Sequence, residues 1–191
     1  MARKSDKRER LLDAAAEAFW VDGYAATSLA DIAERSQVAV GNIYYYFKTK
    51  AAIAEGVADI FVESSLQSLK EIDRTNHTPA EKLRTFISLL KESAEPRTQR
   101  GCPIANAIRD FSPNVPTAAK KTNEVFDTLI GWISQVLNKC GDRKAIRHAR
   151  TSITRWQGAI ILAQGAGDPK ILLEALNELE ADLLLWAKAN S

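Results

Sequence analysis

The stretch between Thr27 and Lys50 contains two short segments that each have the hydrophobic periodicity of a helix. In the first segment, small or apolar side chains stand at positions i, i+3, i+4 and i+7, which are Leu29, Ile32, Ala33 and Ser36. In the second segment they recur at Val40, Ile43, Tyr44 and Phe47. This spacing places each set on one face of an α-helix. Two helices joined by so short a turn predict a helix-turn-helix over about residues 29–48, whose second helix presents its exposed face to the major groove of DNA.

Ser28 and Asp31 predict where the first of these helices begins. A serine followed three residues later by an acidic residue has the spacing of a capping box, in which each side chain accepts a hydrogen bond from the backbone of the other residue. The first helix is therefore expected to start directly after Ser28.

The exposed face of the second segment is small, aromatic and uncharged. It carries Ala39, Gly41, Asn42, Tyr45 and Tyr46. Small residues allow the backbone to approach DNA closely, while tyrosine hydroxyl groups bond phosphates and tyrosine rings pack on thymine methyl groups. The alternative is that the three consecutive tyrosines belong to the core. Successive helical residues point about 100° apart, so one buried face does not accommodate all three.

Positive charge follows this face at Lys48 and Lys50. Thr49 has the position of an N-cap, which puts Lys50 in the first turn of the next helix, where a cation opposes the helix dipole. A DNA phosphate at that helix end would stabilise the lysine. We therefore predict that Lys50 contacts a phosphate.

The chain has 191 residues, 46% of them hydrophobic and 26% charged, which is typical of a globular protein with a sizeable core. Its net charge is only +2, so any surface for nucleic acid must be local. The N-terminus has a local excess of basic over acidic residues, with Arg3, Lys4, Lys7, Arg8 and Arg10 against Asp6 and Glu9. That cluster fits either a solvated tail or an arm that contacts the DNA backbone.

Residues 6–66 resemble the DNA-binding domain of the TetR (tetracycline repressor) family of bacterial transcriptional regulators. The matching positions are Ala14–Phe19, Gly23, Tyr24, Thr27, Ser28, Asp31–Ala33, Val38, Gly41–Phe47 and Lys50. Gln37 and Ala39 depart from the family pattern, in which glycine and serine are usual. The resemblance and the residue pattern together predict DNA contacts at Thr27, Ser28, Ala39, Val40, Gly41, Asn42, Tyr44, Tyr45, Tyr46, Lys48 and Lys50.

The whole chain is predicted to be all-α, with about nine helices in two domains. Residues 6–66 would form the three-helix DNA-binding domain, and residues 67–191 a helical domain for ligand binding and dimerisation. A long helix over residues 51–73 would run from one domain into the other. Pro96 is expected to end the next helix, and residues 97–116 form the least regular part of the sequence.

The resemblance implies that a small molecule binds the second domain, shifts the long fourth helix and releases a palindromic operator. The predicted cavity is apolar and aromatic, which favours a hydrophobic or aromatic inducer, and no charged residue stands out as a counter-ion. Its candidate lining is Phe61, Phe86, Leu90, Cys102, Ile104, Phe126, Trp132 and Trp156. Each of these side chains also fits an ordinary core.

One helix-turn-helix reads few base pairs, so specific binding indicates a two-fold homodimer on two half-sites of double-stranded DNA. The last two helices carry sustained apolar stripes, and the resemblance implies that they form the dimer interface. The candidate interface residues are Trp156, Ile160, Leu172, Leu176, Leu179 and Leu183.

Other classes of protein are disfavoured. Cys102 and Cys140 lack metal-binding spacing with His77 and His148, and no nucleophile stands in a catalytic motif, so neither an enzyme, a metal nor a cofactor is expected. The sequence has no apolar run long enough for a membrane span and no secretory start, which predicts a cytoplasmic protein. The alternatives within the family are an activator, or a regulator controlled by a protein partner or by oxidation of Cys102.

Overall fold

The computed structural model describes residues 4–188, with side chains from residue 7 onward, and that range contains ten α-helices and no strand. The helices are α1 (Lys4–Val21), α2 (Leu29–Ser36), α3 (Val40–Tyr46), α4 (Lys50–Thr75), α5 (Pro79–Glu92), α6 (Ala94–Arg100), α7 (Pro103–Phe111), α8 (Pro116–Lys139), α9 (Ala145–Ala166) and α10 (Pro169–Lys188). The all-α prediction is confirmed. None of these helices combines the length and hydrophobicity that a membrane span requires.

The segment after α5 is more regular than the sequence suggests. The fifth helix ends at Glu92, and a short helix α6 follows it from Ala94 to Arg100. Pro96 was expected to stop helical structure, but it lies in the first turn of α6. A helix makes no use of the backbone N–H groups in its first turn, so a proline is tolerated there.

The chain divides into two compact units. The first contains residues 1–63 and 103–125, and the second contains residues 64–102 and 126–191. Helices α4 and α8 each begin in the first unit and continue into the second. The division within α4 lies near the predicted boundary at residue 66, but residues 103–125 were expected in the second domain.

An aromatic cluster explains why residues 103–125 join the first unit. Phe111 is fully buried and makes edge-to-face contacts with Phe19 and Tyr24, with ring centroids 5.8 and 5.4 Å apart. Val115 and Ala118 are buried in the same core cluster. Burial of large aromatic rings outweighs sequence proximity, so this segment packs against α1 and the loop that follows it.

The second unit contains the helical pair α9 and α10, which pack on each other, and α10 also packs on α5. Both helices bury their apolar stripes within the chain, because the residues predicted to form the dimer interface are all 4% exposed or less. These are Trp156, Ile160, Leu172, Leu176, Leu179 and Leu183. The prediction that this set forms the dimer interface is therefore wrong, since the stripes already form the core of one subunit.

Replacement of Gly56 by alanine is expected to destabilise the first unit. A Cβ at this position on α4 would lie 2.7 Å from Cδ2 of Leu12, which is 1% exposed and packed in the core cluster of this unit. Overpacking of this kind costs about 1–3 kcal/mol, which exceeds the gain in helix propensity. Urea denaturation of Gly56→Ala should show the loss.

Gly131→Ala is the matched control, because a methyl group on this helical glycine would have no heavy atom within 4 Å. That variant should be unchanged or more stable by about 0.5–1 kcal/mol. Equal stability of the two variants would contradict the packing argument.

Candidate nucleic-acid interface

The first helix of the predicted helix-turn-helix begins at the expected residue. Ser28 Oγ accepts a hydrogen bond from the Asp31 N–H at 3.2 Å, and Asp31 Oδ2 accepts one from the Ser28 N–H at 2.7 Å. The predicted capping box is thus confirmed. The Ser28 N–H stabilises the charged carboxylate and lowers the pKa of Asp31. The cap fixes the entry into α2.

The turn between α2 and α3 passes through Gln37, which has φ +54° in the left-handed region. This is the position where the TetR pattern has glycine. The Gln37 N–H bonds back to the carbonyls of Ala33 and Glu34, and the Val38 N–H bonds to the Ala33 carbonyl at 3.1 Å. These hydrogen bonds stabilise the left-handed turn, although the residue that adopts this conformation most easily, glycine, is absent.

Helix α3 divides its side chains sharply between core and solvent. Ile43 and Phe47 are 0% and 5% exposed, whereas Tyr44 and Tyr45 are 51% and 59% exposed. Tyr46 is partly buried, packs against the core of the first unit and contacts the Tyr45 ring edge-to-face at 5.0 Å. Tyr44 thus lies on the solvent side rather than on the apolar face of the helix.

The small residues of the predicted DNA contact set are accessible. Ala39, Val40, Gly41 and Asn42 are exposed, and a Cβ added to Gly41 would meet no neighbouring atom within 4 Å. With Tyr44 and Tyr45 they form one uncharged exposed face, which we call the α3 face. Its steric openness is what close approach to a DNA backbone requires.

Thr27 differs from the expectation of a DNA contact. It is 2% exposed, and its hydroxyl group donates to the Gly23 carbonyl at 2.8 Å. The side chain therefore stabilises the loop between α1 and α2. Ser28, in contrast, is exposed, although its hydroxyl oxygen already serves as the helix cap.

Lys50 lies in the first turn of α4, as predicted, but its ammonium group has partners within the chain. Its ammonium group donates to the carbonyls of Tyr24 at 2.7 Å, Thr27 at 2.9 Å and Ala25 at 3.4 Å, and lies 4.4 Å from the centre of the Tyr24 ring. Burial lowers the pKa of this lysine. Its three donors are used within the chain, so Lys50 ties the α1–α2 loop to α4. Lys48 is exposed, and its ammonium group donates to the Tyr44 carbonyl at 2.9 Å.

The predicted basic arm is described only in part. Arg3 lies outside the described residues, as do the side chains of Lys4 and Asp6. Arg10 donates to the Ser36 carbonyl at the end of α2, and the guanidinium of Arg8 lies 5.4 Å from the centre of the Phe47 ring. These two arginines support the helix-turn-helix from α1.

The predicted ligand-site residues are split between the two units. Phe61 and Ile104 belong to the first unit and are partly buried. The second unit contains Phe126, which is partly buried, and five buried residues, Phe86, Leu90, Cys102, Trp132 and Trp156. The structure thus places six of the eight residues in one compact unit.

Four residues of the candidate ligand set make side-chain contacts that can be identified. The rings of Phe86 and Trp132 lie 5.5 Å apart, and the Trp132 indole N–H donates to Asp73 at 3.2 Å. Cys102 and Trp156 both contact Arg97, a residue that sequence reasoning missed. Arginine on a short helix without clear periodicity gives no sequence signal of its own. No charged residue stands out from the sequence as a counter-ion for a charged ligand, but Arg97 lies against two members of the candidate ligand set.

Within the described range, no group of three or more His, Cys, Asp or Glu side chains is arranged to hold a metal ion. Both cysteines are buried and unpaired.

Two protein-family models match the chain. Residues 11–57 match the bacterial regulatory proteins of the tetR family, and residues 79–178 match the C-terminal domain of LmrA/YxaF-like transcriptional regulators. The second match alone spans more than half of the 191 residues.

Individual proteins give the same result. An uncharacterised HTH-type transcriptional regulator in the lacX 3' region of Lactococcus lactis subsp. lactis is 24% identical over 170 residues, which are 86% of this chain and 87% of that protein. The HTH-type transcriptional repressor KstR2 of Mycolicibacterium smegmatis is 30% identical over 96 residues, or 50% of this chain and 47% of that protein. The crystal structure of a TetR transcriptional regulator from Legionella pneumophila has the same fold, with a TM-score of 0.80, 21% identity and coverage of 95% and 98% of the two chains.

Lys50→Met is expected to lower the free energy of unfolding by about 1–3 kcal/mol, because three backbone carbonyls of the α1–α2 loop lose their donor. Thermal unfolding of the purified variant measures this loss. Lys48→Met is the matched control, since its ammonium group is exposed and donates to one carbonyl only. If both variants unfold like the unmodified protein, the loop tether has no structural role.

Proposed function

Because the chain belongs to the TetR family of bacterial transcriptional regulators, we propose that it is a repressor that a small hydrophobic or aromatic inducer releases from a palindromic operator. Proteins of this family regulate transcription by binding DNA and are not enzymes, and the same holds for this chain. The relative in Mycolicibacterium smegmatis is a repressor, which supports repression rather than activation for this chain.

The observation that carries the proposal is the exposed α3 face. Two tyrosine rings more than half exposed to water contribute little to folding, and they flank small residues on the second helix of a capped helix-turn-helix. Tyrosine hydroxyl groups bind phosphates, and tyrosine rings pack on thymine methyl groups. Lys48 follows the same face and supplies positive charge for the backbone.

Release by an inducer requires only that the ligand prefers one of two arrangements of the protein. The second unit holds most of the buried aromatic residues of the candidate ligand set. Helices α4 and α8 are continuous across the division between units, so each offers an unbroken backbone connection from that set to the helix-turn-helix.

A homodimer is part of the proposal, on the same two C-terminal helices that the sequence suggests but through other residues. The exposed side of α9 carries Ile161 and Leu162, which are 69% and 65% exposed, and α10 contributes Leu185 at 61%. Gly158 and Gly165 lie three and four positions away on the same side of α9, and a Cβ added to either would have no atom within 4 Å. Exposed apolar side chains beside small residues are typical of close helix packing between subunits.

Control by oxidation of Cys102 is the second candidate. The Arg97 Nη1 donates to the Cys102 sulfur at 3.4 Å, and reactive cysteines are typically found beside positively charged groups. Cys102 is only 3% exposed, which restricts access of an oxidant. Operator binding measured before and after peroxide treatment, on the unmodified protein and Cys102→Ser, distinguishes this mode from release by an inducer.

Selection of DNA from a random pool on the purified protein should enrich a two-fold symmetric site, because a dimer presents two α3 faces. Tyr45→Ala is expected to weaken binding to that site by about tenfold or more with unchanged thermal unfolding, since the side chain is 59% exposed. Unchanged affinity would refute the α3 face as the reading surface. If no site is enriched, repeating the selection with cell extract shows whether a ligand is needed for binding or the proposal fails.

Leu162→Glu is expected to produce a monomer in sedimentation velocity. A glutamate buried from each subunit, without a partner, should weaken association by at least about 100-fold. Leu89→Glu is the control, because Leu89 is also exposed, at 42%, but lies on α5. A dimer that survives Leu162→Glu and dissociates with Leu89→Glu would place the interface on α5 instead.

A further inference from the structure

The strongest unexplained feature of the second unit is the environment of Arg97 on α6. Its guanidinium is partly buried and lies over the Trp156 ring, with Cζ 5.0 Å from the ring centroid. Its Nε donates to Ser93 Oγ at 2.8 Å, and its Nη1 donates to Cys102 Sγ at 3.4 Å. No carboxylate among the described side chains forms an ion pair with it. The positive charge is therefore held by neutral groups alone.

The indole beneath this guanidinium has an unsatisfied hydrogen-bond donor. Trp156 is 4% exposed, and its Nε1–H has no acceptor among the described residues. Buried N–H groups without an acceptor are rare in folded proteins. The other buried tryptophan of this unit, Trp132, shows the usual arrangement, since its Nε1–H donates to Asp73. Trp156 thus differs from the other buried tryptophan of its unit.

Arg97 and Trp156 share the same deficit, because both are donors that lack an anionic or strong acceptor partner. Arginine binds carboxylates through two parallel N–H groups, and the Nη2 group of Arg97 makes no hydrogen bond to a described residue. A carboxylate has two oxygens, so one such group is able to accept from both a guanidinium and a neighbouring N–H. A cationic ligand at this place meets a like charge instead.

We propose that the inducer is an aromatic or other hydrophobic compound that carries an anionic oxygen group, and that Arg97 and Trp156 Nε1 bind that group. The inference rests on the proposed function and adds the charge class of its ligand. The guanidinium now covers one face of the indole ring, and a ligand that draws it aside stacks its apolar body on that face.

Three probes of one shape test the charge preference. They are 1-naphthoate, 1-naphthamide and 1-naphthylmethylamine, which are anionic, neutral and cationic at neutral pH. In calorimetric titrations of the full chain, 1-naphthoate should bind at least about tenfold tighter than the amine, because only the anion completes a charge-assisted pair with Arg97. Equal or tighter binding of the amine overturns the proposal, and so does absence of naphthoate binding at millimolar concentration.

Substitutions of Arg97 test whether this residue causes the preference for the anionic probe. Arg97→Met keeps most of the side-chain volume and removes the charge, so the advantage of naphthoate over the amine should be lost. Arg97→Lys should retain part of it. Arg84→Met removes an exposed charge from α5 of the same unit and should leave the preference unchanged. A preference that survives in Arg97→Met overturns the proposal.

The NMR resonance of the Trp156 indole N–H tests the contact between this group and the ligand, and the measurement needs no DNA. In the ¹⁵N-tryptophan-labelled protein, Trp156→Phe identifies the Trp156 Nε1–H resonance among four. Naphthoate should move this resonance in the direction of a stronger hydrogen bond, and Arg97→Met should abolish the movement. A resonance that stays in place while naphthoate binds overturns the proposal, including the case in which an ordered water alone occupies the indole N–H.

The outcomes separate this inference from the proposed function. If naphthoate binds through Arg97 but no probe of any charge releases the selected operator, the anion site stands and the proposed release by such ligands fails. If neutral or cationic compounds release the operator equally from the unmodified protein and Arg97→Met, the proposed function stands and the anion site is refuted.

Discussion

The edge-to-face packing of Phe19, Tyr24 and Phe111 is the contact on which the position of the helix-turn-helix depends. The rings come from α1, the loop after it and α7, and their centroids lie 5.2, 5.8 and 5.4 Å apart. The backbone of Tyr24 is held from two further sides, since its N–H donates to Asp110 and its carbonyl accepts from Lys50. This loop leads directly into the cap of α2. The orientation of the α3 face therefore depends on Tyr24, a buried residue of the loop before α2.

Features governed by local chemistry were predictable from sequence. The capping box needs only Ser28 and Asp31 at the right spacing, and the burial of Ile43 and Phe47 follows from helical periodicity. The turn at Gln37 keeps its left-handed conformation without glycine because neighbouring backbone bonds hold it. Such signals extend over a few residues, which is why the residue pattern alone predicts the helix-turn-helix and the all-α class.

Features governed by distant partners were not predictable. Lys50 looked misplaced at a helix start, and the sequence did not show that three carbonyls from an earlier loop would accept from it. The stripe that includes Leu172 and Leu176 correctly indicated burial, but periodicity does not tell whether a stripe packs within one chain or between two. Arg97 gave no pattern at all, because its role comes from Cys102 and from an indole nearly sixty residues later in the chain.

Helix α7 joins two environments at its ends. It begins at Pro103, directly after Cys102 of the second unit, and it ends at Phe111 in the aromatic cluster of the first. A helix of nine residues is about 14 Å long. Pro103 and Phe111 are thus joined by continuous helical backbone rather than by a flexible linker. One residue inserted into α7 would turn Phe111 by about 100° away from the rings of Phe19 and Tyr24, so the packing at its end fixes the length of this helix.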